Sequence, residues 1–285
     1  MITKMEVFSR NPSVPELPVA GFAPNLASLD PIVIRDIQGL GPVKATISST
    51  PFATGRGELF QGSSIPTRNI VLSLGFNPNW IDQTMASLRH ILYRYFMPQL
   101  WTKLRFISDE IPIVGIDGIV ESCEPNMFSQ DPEMQISIMC PKPDFLEVNS
   151  TLISGIVDDG TTEVIIDYRG SVPAGFELQI KPSDDLPAYT GDVTIANISV
   201  DGAQAFQALD VTVDDTKYLM MNTAKTSRKL HYVMADESPS VNILGKMASG
   251  SIWPELSPGE NIFAIEASET GMKWVLGYFN RYGGI

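Results

Sequence analysis

The side chains able to do chemistry are few and poorly assembled. Only two histidines occur, His90 and His231. No GxSxG, HExxH, GxxxxGK[ST] or GxGxxG run places a nucleophile, a zinc pair or a phosphate cradle in the chain. His90, between Arg89 and Ile91, falls in a helical stretch where a surface or boundary imidazole is ordinary. His231, between Leu230 and Tyr232, reads as one face of a strand. Cys123 and Cys140 have no CxxC or CxxH neighbour, so they fit neither a disulfide framework nor a zinc site and read as reduced core thiols. The pairs Asp158-Asp159, Asp184-Asp185 and Asp214-Asp215 offer two carboxylates each for acid/base work or for calcium. Each lies beside Gly, Pro or Thr, where adjacent aspartates commonly bond the local backbone of a turn, and no D-x-[DN]-x-[DN]-G loop is present. These residues predict no enzyme, no metal and no cofactor.

Aromatic side chains are the remaining chemistry. The second half carries eight tyrosines and tryptophans, a stock from which a sugar-stacking platform can be built. Alternation buries several of them. Trp253, next to Pro254 in an expected loop, is the best exposed candidate for glycan binding. A polysaccharide hydrolase would need paired carboxylates at a fixed separation, which sequence does not show, and nothing in the chain points to one.

The elements that must position these groups are mostly strands. One amphipathic helix of about four turns is expected after Asn77-Pro78-Asn79, with Asp82 in its first turn. Trp80, Ile81, Met85, Leu88, Leu92 and Tyr95 recur at three- and four-residue steps, and Pro98 stops it. Around it the period is two. Ile70, Leu72 and Leu74 share a face, as do Leu104 and Phe106, and Met134, Ile136, Ile138 and Cys140. Shorter strands are expected at 43–48, 111–114 and 119–122, punctuated by Gly115, Asp117-Gly118 and Pro125-Asn126. The first half is therefore an antiparallel sheet or small barrel with one helix laid against it.

Pro141-Lys142-Pro143-Asp144 interrupts the pattern, because each proline withdraws a ladder donor, and a boundary is placed at residue 147. Downstream, strands are expected at 164–168, 176–180, 193–195, 209–213, 218–221, 230–233, 262–267 and 273–279. Short strands with Gly, Pro, Asp and Asn turns indicate a β-sandwich over residues 148–285, after an α+β domain over residues 1–147.

Composition limits the partners. The chain has 285 residues, about two domains' worth, and a net charge of −13. That surface repels phosphate, which excludes a nucleic-acid grip. At 44% hydrophobic and 19% charged it is too apolar for disorder, and it has no apolar run long enough to span a membrane. The start, Met1 to Phe8, lacks the basic and apolar regions of a secretory signal, so folding in a cytoplasm is expected. Residues 1–147 hold eleven basic and fifteen acidic residues, a net −4. Residues 148–285 hold nine and eighteen, a net −9.

The segments ILYRYFMP at 91–98, WTKLRF at 101–106, VESCEPNMFS at 120–129 and DPEMQISIMCPKPDF at 131–145 resemble the N-terminal domain of distal tail proteins of long, flexible-tailed bacteriophages. WPELSPGENIF at 253–263 and YFNRYGGI at 278–285 resemble that family's C-terminal strands. The resemblance implies a structural protein of the virion tail tip, assembled in the host cytoplasm as a hexameric ring. Its first domain would form a belt around a channel, and its second would decorate the outside as a galectin-like jelly roll. The implied partners are other copies of the chain, the tail tube, tape-measure and baseplate hub proteins, and a receptor-binding protein or host-surface glycan. DNA would pass through the channel without being bound. A carbohydrate-binding sandwich module aiding host attachment is the alternative. A ring needs an element that reaches a neighbour, and Thr50 to Pro66, with Gly55, Gly57 and Gly62, is the candidate loop or hairpin arm. An ordinary surface hairpin around Glu58-Leu59-Phe60 is the simpler reading.

Overall fold

The computed structural model describes residues 2–9, 31–78, 84–126, 132–157, 160–183, 185, 187–200, 203–269 and 272–285. The chain divides into two compact units, Met1–Val148 with Tyr282–Ile285, and Asn149–Arg281. A linear boundary at residue 147 would leave the last four residues in the second domain. They belong instead to the first unit, where the Ile285 amide donates to the Leu40 carbonyl at 3.0 Å.

The first unit holds strands β1 (Ile2–Ser9), β2 (Ile32–Gln38), β3 (Thr46–Pro51), β4 (Glu58–Ser64), β5 (Arg68–Phe76), β6 (Trp101–Ser108), β7 (Val114–Asn126), β8 (Glu133–Cys140) and β9 (Phe145–Glu147), with helix α1 (Met85–Phe96) between β5 and β6. An antiparallel sheet runs in the order β1-β6-β7-β8-β5-β2, with β9 beside β7, and curls as a half-barrel. Alternation places its core. Ile70, Leu72, Leu74, Leu104, Phe106, Met134, Ile136, Ile138 and Cys140 are all fully buried on one face, as the two-residue period requires. Leu88, Leu92, Tyr95 and Phe96 of α1 join the same core.

The helix begins later than Asn77-Pro78-Asn79 suggests. Its N-cap is Thr84, in extended geometry. The Thr84 hydroxyl accepts from the Ser87 amide at 3.2 Å, and the Ser87 hydroxyl accepts from the Thr84 amide at 3.0 Å. This reciprocal pair satisfies two otherwise orphaned donors and fixes the start. Trp80, Ile81 and Asp82 lie outside the described residues.

Two expectations for strand ends are corrected. Residues 111–113 form no strand, and the strand expected at 119–122 is the middle of the 13-residue β7. Gly115 and Gly118 are not turn glycines but strand glycines chosen for space. A Cβ on Gly118 would lie 2.4 Å from Ile138 Cγ2 and 2.9 Å from Cys140 Sγ.

The second unit holds β10 (Thr151–Val157), β11 (Thr161–Tyr168), β12 (Phe176–Pro182), β13 (Ala188–Asn197), β14 (Gln204–Asp214), β15 (Lys217–Asn222), β16 (Lys229–Met234), β17 (Val241–Asn242), β18 (Gly259–Ala267) and β19 (Met272–Tyr278). All eight expected strands are present. The order is β10-β19-β12-β15-β14-β13-β18-β11, with β16 on β15 and β17 on β16. Only Asp214 and Lys217 pair between β14 and β15. The sheet therefore folds over at that corner, and two faces close on a single core containing Trp274, Phe206, Phe263 and Tyr168. The result is a sandwich drawn into a nearly closed barrel.

A buried amide pair holds the loop before β18. Asn197 Nδ2 donates to Asn261 Oδ1 at 3.1 Å and to the Glu255 carbonyl at 2.9 Å, while Asn261 Nδ2 donates to the Ser257 carbonyl at 2.7 Å. With its polar atoms paired, this network fixes one loop conformation.

Candidate functional site

Strands β3 and β4 form a two-stranded sheet of their own, paired among the described residues only with each other. Their reversal needs Gly55 and Gly57 in the left-handed region, at φ 125° and 102°, which L side chains rarely adopt. The Phe52 amide donates to the Gly57 carbonyl across the turn at 3.4 Å. Polar cross-strand contacts, Ser48 to Gln61 and Ser49 to Glu58, stitch the ladder. Among the described residues, no side chain of either strand enters the core of the unit. Ile47, Leu59 and Phe60 are instead 67%, 57% and 63% exposed, with Phe52 and Ile65 also more than half exposed. A lone hairpin is marginal in water, and several large apolar groups displayed on one arm form the kind of patch that proteins cover with a partner. The arm starts at Thr46, four residues before the expected Thr50 and three after the strand start expected at Val43.

The base of the arm is anchored by a residue that sequence patterning does not single out. Arg68, the first residue of β5, is 2% exposed. Its Nε donates to the Pro143 carbonyl at 2.6 Å, Nη1 to the carbonyls of Gly39 and Gly41 at 2.5 and 2.6 Å, and Nη2 to the Gly283 carbonyl at 2.5 Å. The guanidinium carbon lies 4.5 Å from the Phe145 ring centroid. One cation thus ties together the strand entering the arm, the Pro-rich segment and the returning C-terminus. Burial pushes its proton affinity below the usual arginine range. The sequence signal was an arginine opening the face of a strand that is otherwise apolar, ahead of Ile70, Leu72 and Leu74.

Among the described residues, chemistry-bearing side chains do not converge. His90 is exposed on α1, its ring 6.4 Å from Tyr93, and His231 sits on β16. Cys123 and Cys140 are free thiols, and burial pushes them up to about 11 and about 12. Such thiols stay protonated and unreactive near neutral pH. Asp214 accepts from the Thr216 amide at 2.8 Å and from its hydroxyl, a local turn. Asp158, Asp159 and Asp184 lie outside the described residues. Among the described residues no three potential metal ligands cluster.

No family model and no curated protein matches this sequence. Among solved structures, the SPP1 Dit protein, described as a paradigm of the hub adsorption apparatus in Gram-positive infecting phages, matches with a TM-score of 0.66 at 12% identity, over 96% of this chain and 98% of that one. The chain has the distal tail, or Dit, fold. A chain of the phage P2 baseplate in its activated conformation with Ca also matches, at a TM-score of 0.47 and 10% identity, over the full length of both chains.

The Dit fold puts Trp253 on the loop leading to β18. It is half-buried there, its ring 4.6 Å from that of Phe206 and its centroid 5.9 Å from the Arg228 guanidinium carbon. Glu255, two residues on, pairs with Lys225 at 3.0 Å and Arg228 at 3.4 Å.

Proposed function

We propose that the protein is a structural component of a phage tail tip, not an enzyme. It assembles as a hexameric ring that joins the tail tube, with its tape-measure protein, to the baseplate hub and receptor-binding parts. The observation that carries this reading is the β3–β4 arm, a hairpin with several exposed apolar side chains and, among the described residues, no place in its own core. A head-to-tail contact closes into a ring when each copy gives an arm and receives one. Five large apolar side chains that are half to two-thirds exposed gain about 4–9 kcal/mol on being covered, the exposed share of about 1.5–3 kcal/mol each. That offsets only part of the roughly 4–15 kcal/mol that association costs, so a ring holds when the arm is seated together with the rest of the contact. The first domain forms the belt and the second the outer decoration. The domain lining the channel carries only −4 of the net charge, enough to deny DNA a counterion-release gain while it passes.

Negative-stain imaging and light scattering of the purified chain test the reading. Rings with a central pore, and a mass six times that of the chain, are expected at high protein concentration or with the tube protein present. Discrete particles without a pore under both conditions would remove it.

A further inference from the structure

A second feature lies in the other unit, at the free edge of its barrel. Arg228, Lys229, Leu230 and His231 of the β16 region, with Ser240, Asn242 and Leu244 opposite, line a groove of about 280 Å³. It is a cationic place in an acidic domain. Of the nine basic residues after residue 147, Lys225, Arg228, Lys229 and Lys246 lie on or beside this edge.

The donors facing the groove are only partly used. Lys229 forms no ion pair with any described residue, whereas Lys225 and Arg228 share Glu255. Asn242 Oδ1 accepts from the Leu244 amide at 2.9 Å, which orients the side chain and leaves its NH2 to donate. His231 Nδ1 is buried and has no hydrogen-bond partner among the described residues. Burial first, and then Lys229, holds the imidazole below its usual range against the opposing pull of Glu177, and with Nδ1 enclosed only Nε2 of the ring is left to meet a ligand. Leu244 adds an apolar wall, and Arg228 reaches from the groove to the Trp253 ring.

We propose that this groove binds one residue of an anionic saccharide, a sugar carrying a carboxylate or phosphate group. Lys229 meets the oxyanion, and His231, Asn242 and Ser240 meet ring hydroxyls. The size suits a single sugar residue, whose apolar ring face can lie on Leu244 while its hydroxyls meet the polar groups. Arg228, partly neutralised by Glu255, steers and orients more than it neutralises. The site is independent of ring assembly, since it uses no residue of the first unit.

Calorimetric titration of the full chain tests it with four probes: trigalacturonate, glucose 6-phosphate, uncharged maltotriose and inorganic phosphate. One or both charged sugars should bind, and the stronger identifies the anionic group. Maltotriose and phosphate alone should each bind at least tenfold more weakly, because each supplies half of the contacts. Lys229→Ala, at an exposed position, should lose about tenfold in affinity for the charged sugar while keeping the wild-type melting temperature and oligomeric state. His231→Phe, which removes the ring nitrogens but keeps an aromatic ring, should weaken it too. Absence of heat with both charged sugars would overturn the proposal, as would phosphate alone binding as tightly as they do or binding unchanged in Lys229→Ala. None of these outcomes touches the ring, which imaging reads separately.

Discussion

Replacing Arg68 with methionine isolates the most concentrated polar contact in the first unit. Methionine keeps an unbranched stem over Phe145 and removes all four donated hydrogen bonds, those to Gly39, Gly41, Pro143 and Gly283. Bonds from a charged donor are worth roughly 1.5–3 kcal/mol each, a nominal total of about 6–12 kcal/mol. Two terms reduce it. The guanidinium recovers its hydration in the unfolded chain, and Gly39 and Gly41 lie in exposed segments where water can take over part of the bonding, while the rotamer entropy lost on folding is similar for arginine and methionine and cancels. The net loss should be about 3–5 kcal/mol, the range seen when one partner of a buried charge contact is removed. For a unit of this size that lowers the melting temperature by about 6–20 °C. Arg68→Lys keeps the charge but not the planar fork, and should fall between the two. The assay is a thermal melt paired with amide hydrogen exchange. Segments 39–41, 143–147 and 283–285 should lose protection together, because one side chain holds all three. A melting temperature within about 2 °C of the parent, with unchanged exchange at 283–285, would refute the assignment of Arg68 as their common anchor.

Three further outcomes are expected. Leu59→Ser with Phe60→Ser should abolish rings in negative stain while moving the melting temperature by no more than about 2 °C, since exposed side chains with no core contact contribute within about 0.5 kcal/mol to the monomer. Gly118→Ala should destabilise the first unit by about 1–3 kcal/mol in denaturant titration, because its Cβ meets Ile138 and Cys140 in the buried face of the sheet. The thiol of Cys140 is raised by burial to about 12, so the folded state keeps a proton that the unfolded chain releases above roughly pH 8.5. Its contribution is complete below that pH and is lost as pH rises toward 12, at up to about 1.4 kcal/mol per pH unit. Alkaline melts should steepen accordingly, and a thiol reagent at pH 8 should label neither cysteine until denaturant is added.

How far the fold was legible depended on whether one face of each strand was buried. Where it was, as in β5, β6 and β8, alternation found the core residue by residue, because the pleat forces every second side chain inward. β10 escaped for the opposite reason. Leu152 and Ile156 point outward, and its inward face includes Gly155, whose missing Cβ makes room for the Trp274 ring at 2.6 Å, so neither face looks apolar in sequence. Gly115 and Gly118 misled by the same logic, since a glycine emptied for packing reads like one reserved for a turn. Trp253 stood out as a loop tryptophan, but no local pattern reveals that Phe206, 47 positions earlier, would lie under its ring.

The two surfaces argued to be functional were unequally visible, and the physics explains why. The arm announced itself through glycines required by its own reversal, a local demand written within a dozen residues. The groove beside β16 joins residues 228–231 to 240–244 across a sheet edge, and its meaning rests on which charges are already used. Lys225, Arg228 and Lys229 look equivalent in sequence. Only the fold brings Glu255 to the first two and leaves the third to face the groove. Glu255 itself is held by Asn197, whose amide grips its carbonyl from another strand. Exchanging Asn197 for alanine should therefore loosen the 253–257 loop, release Lys225 and Arg228 from Glu255, and change charged-sugar affinity without touching a groove residue. Unchanged affinity in a variant whose loop has lost hydrogen-exchange protection would show that Lys229 acts without help from the Glu255 partition.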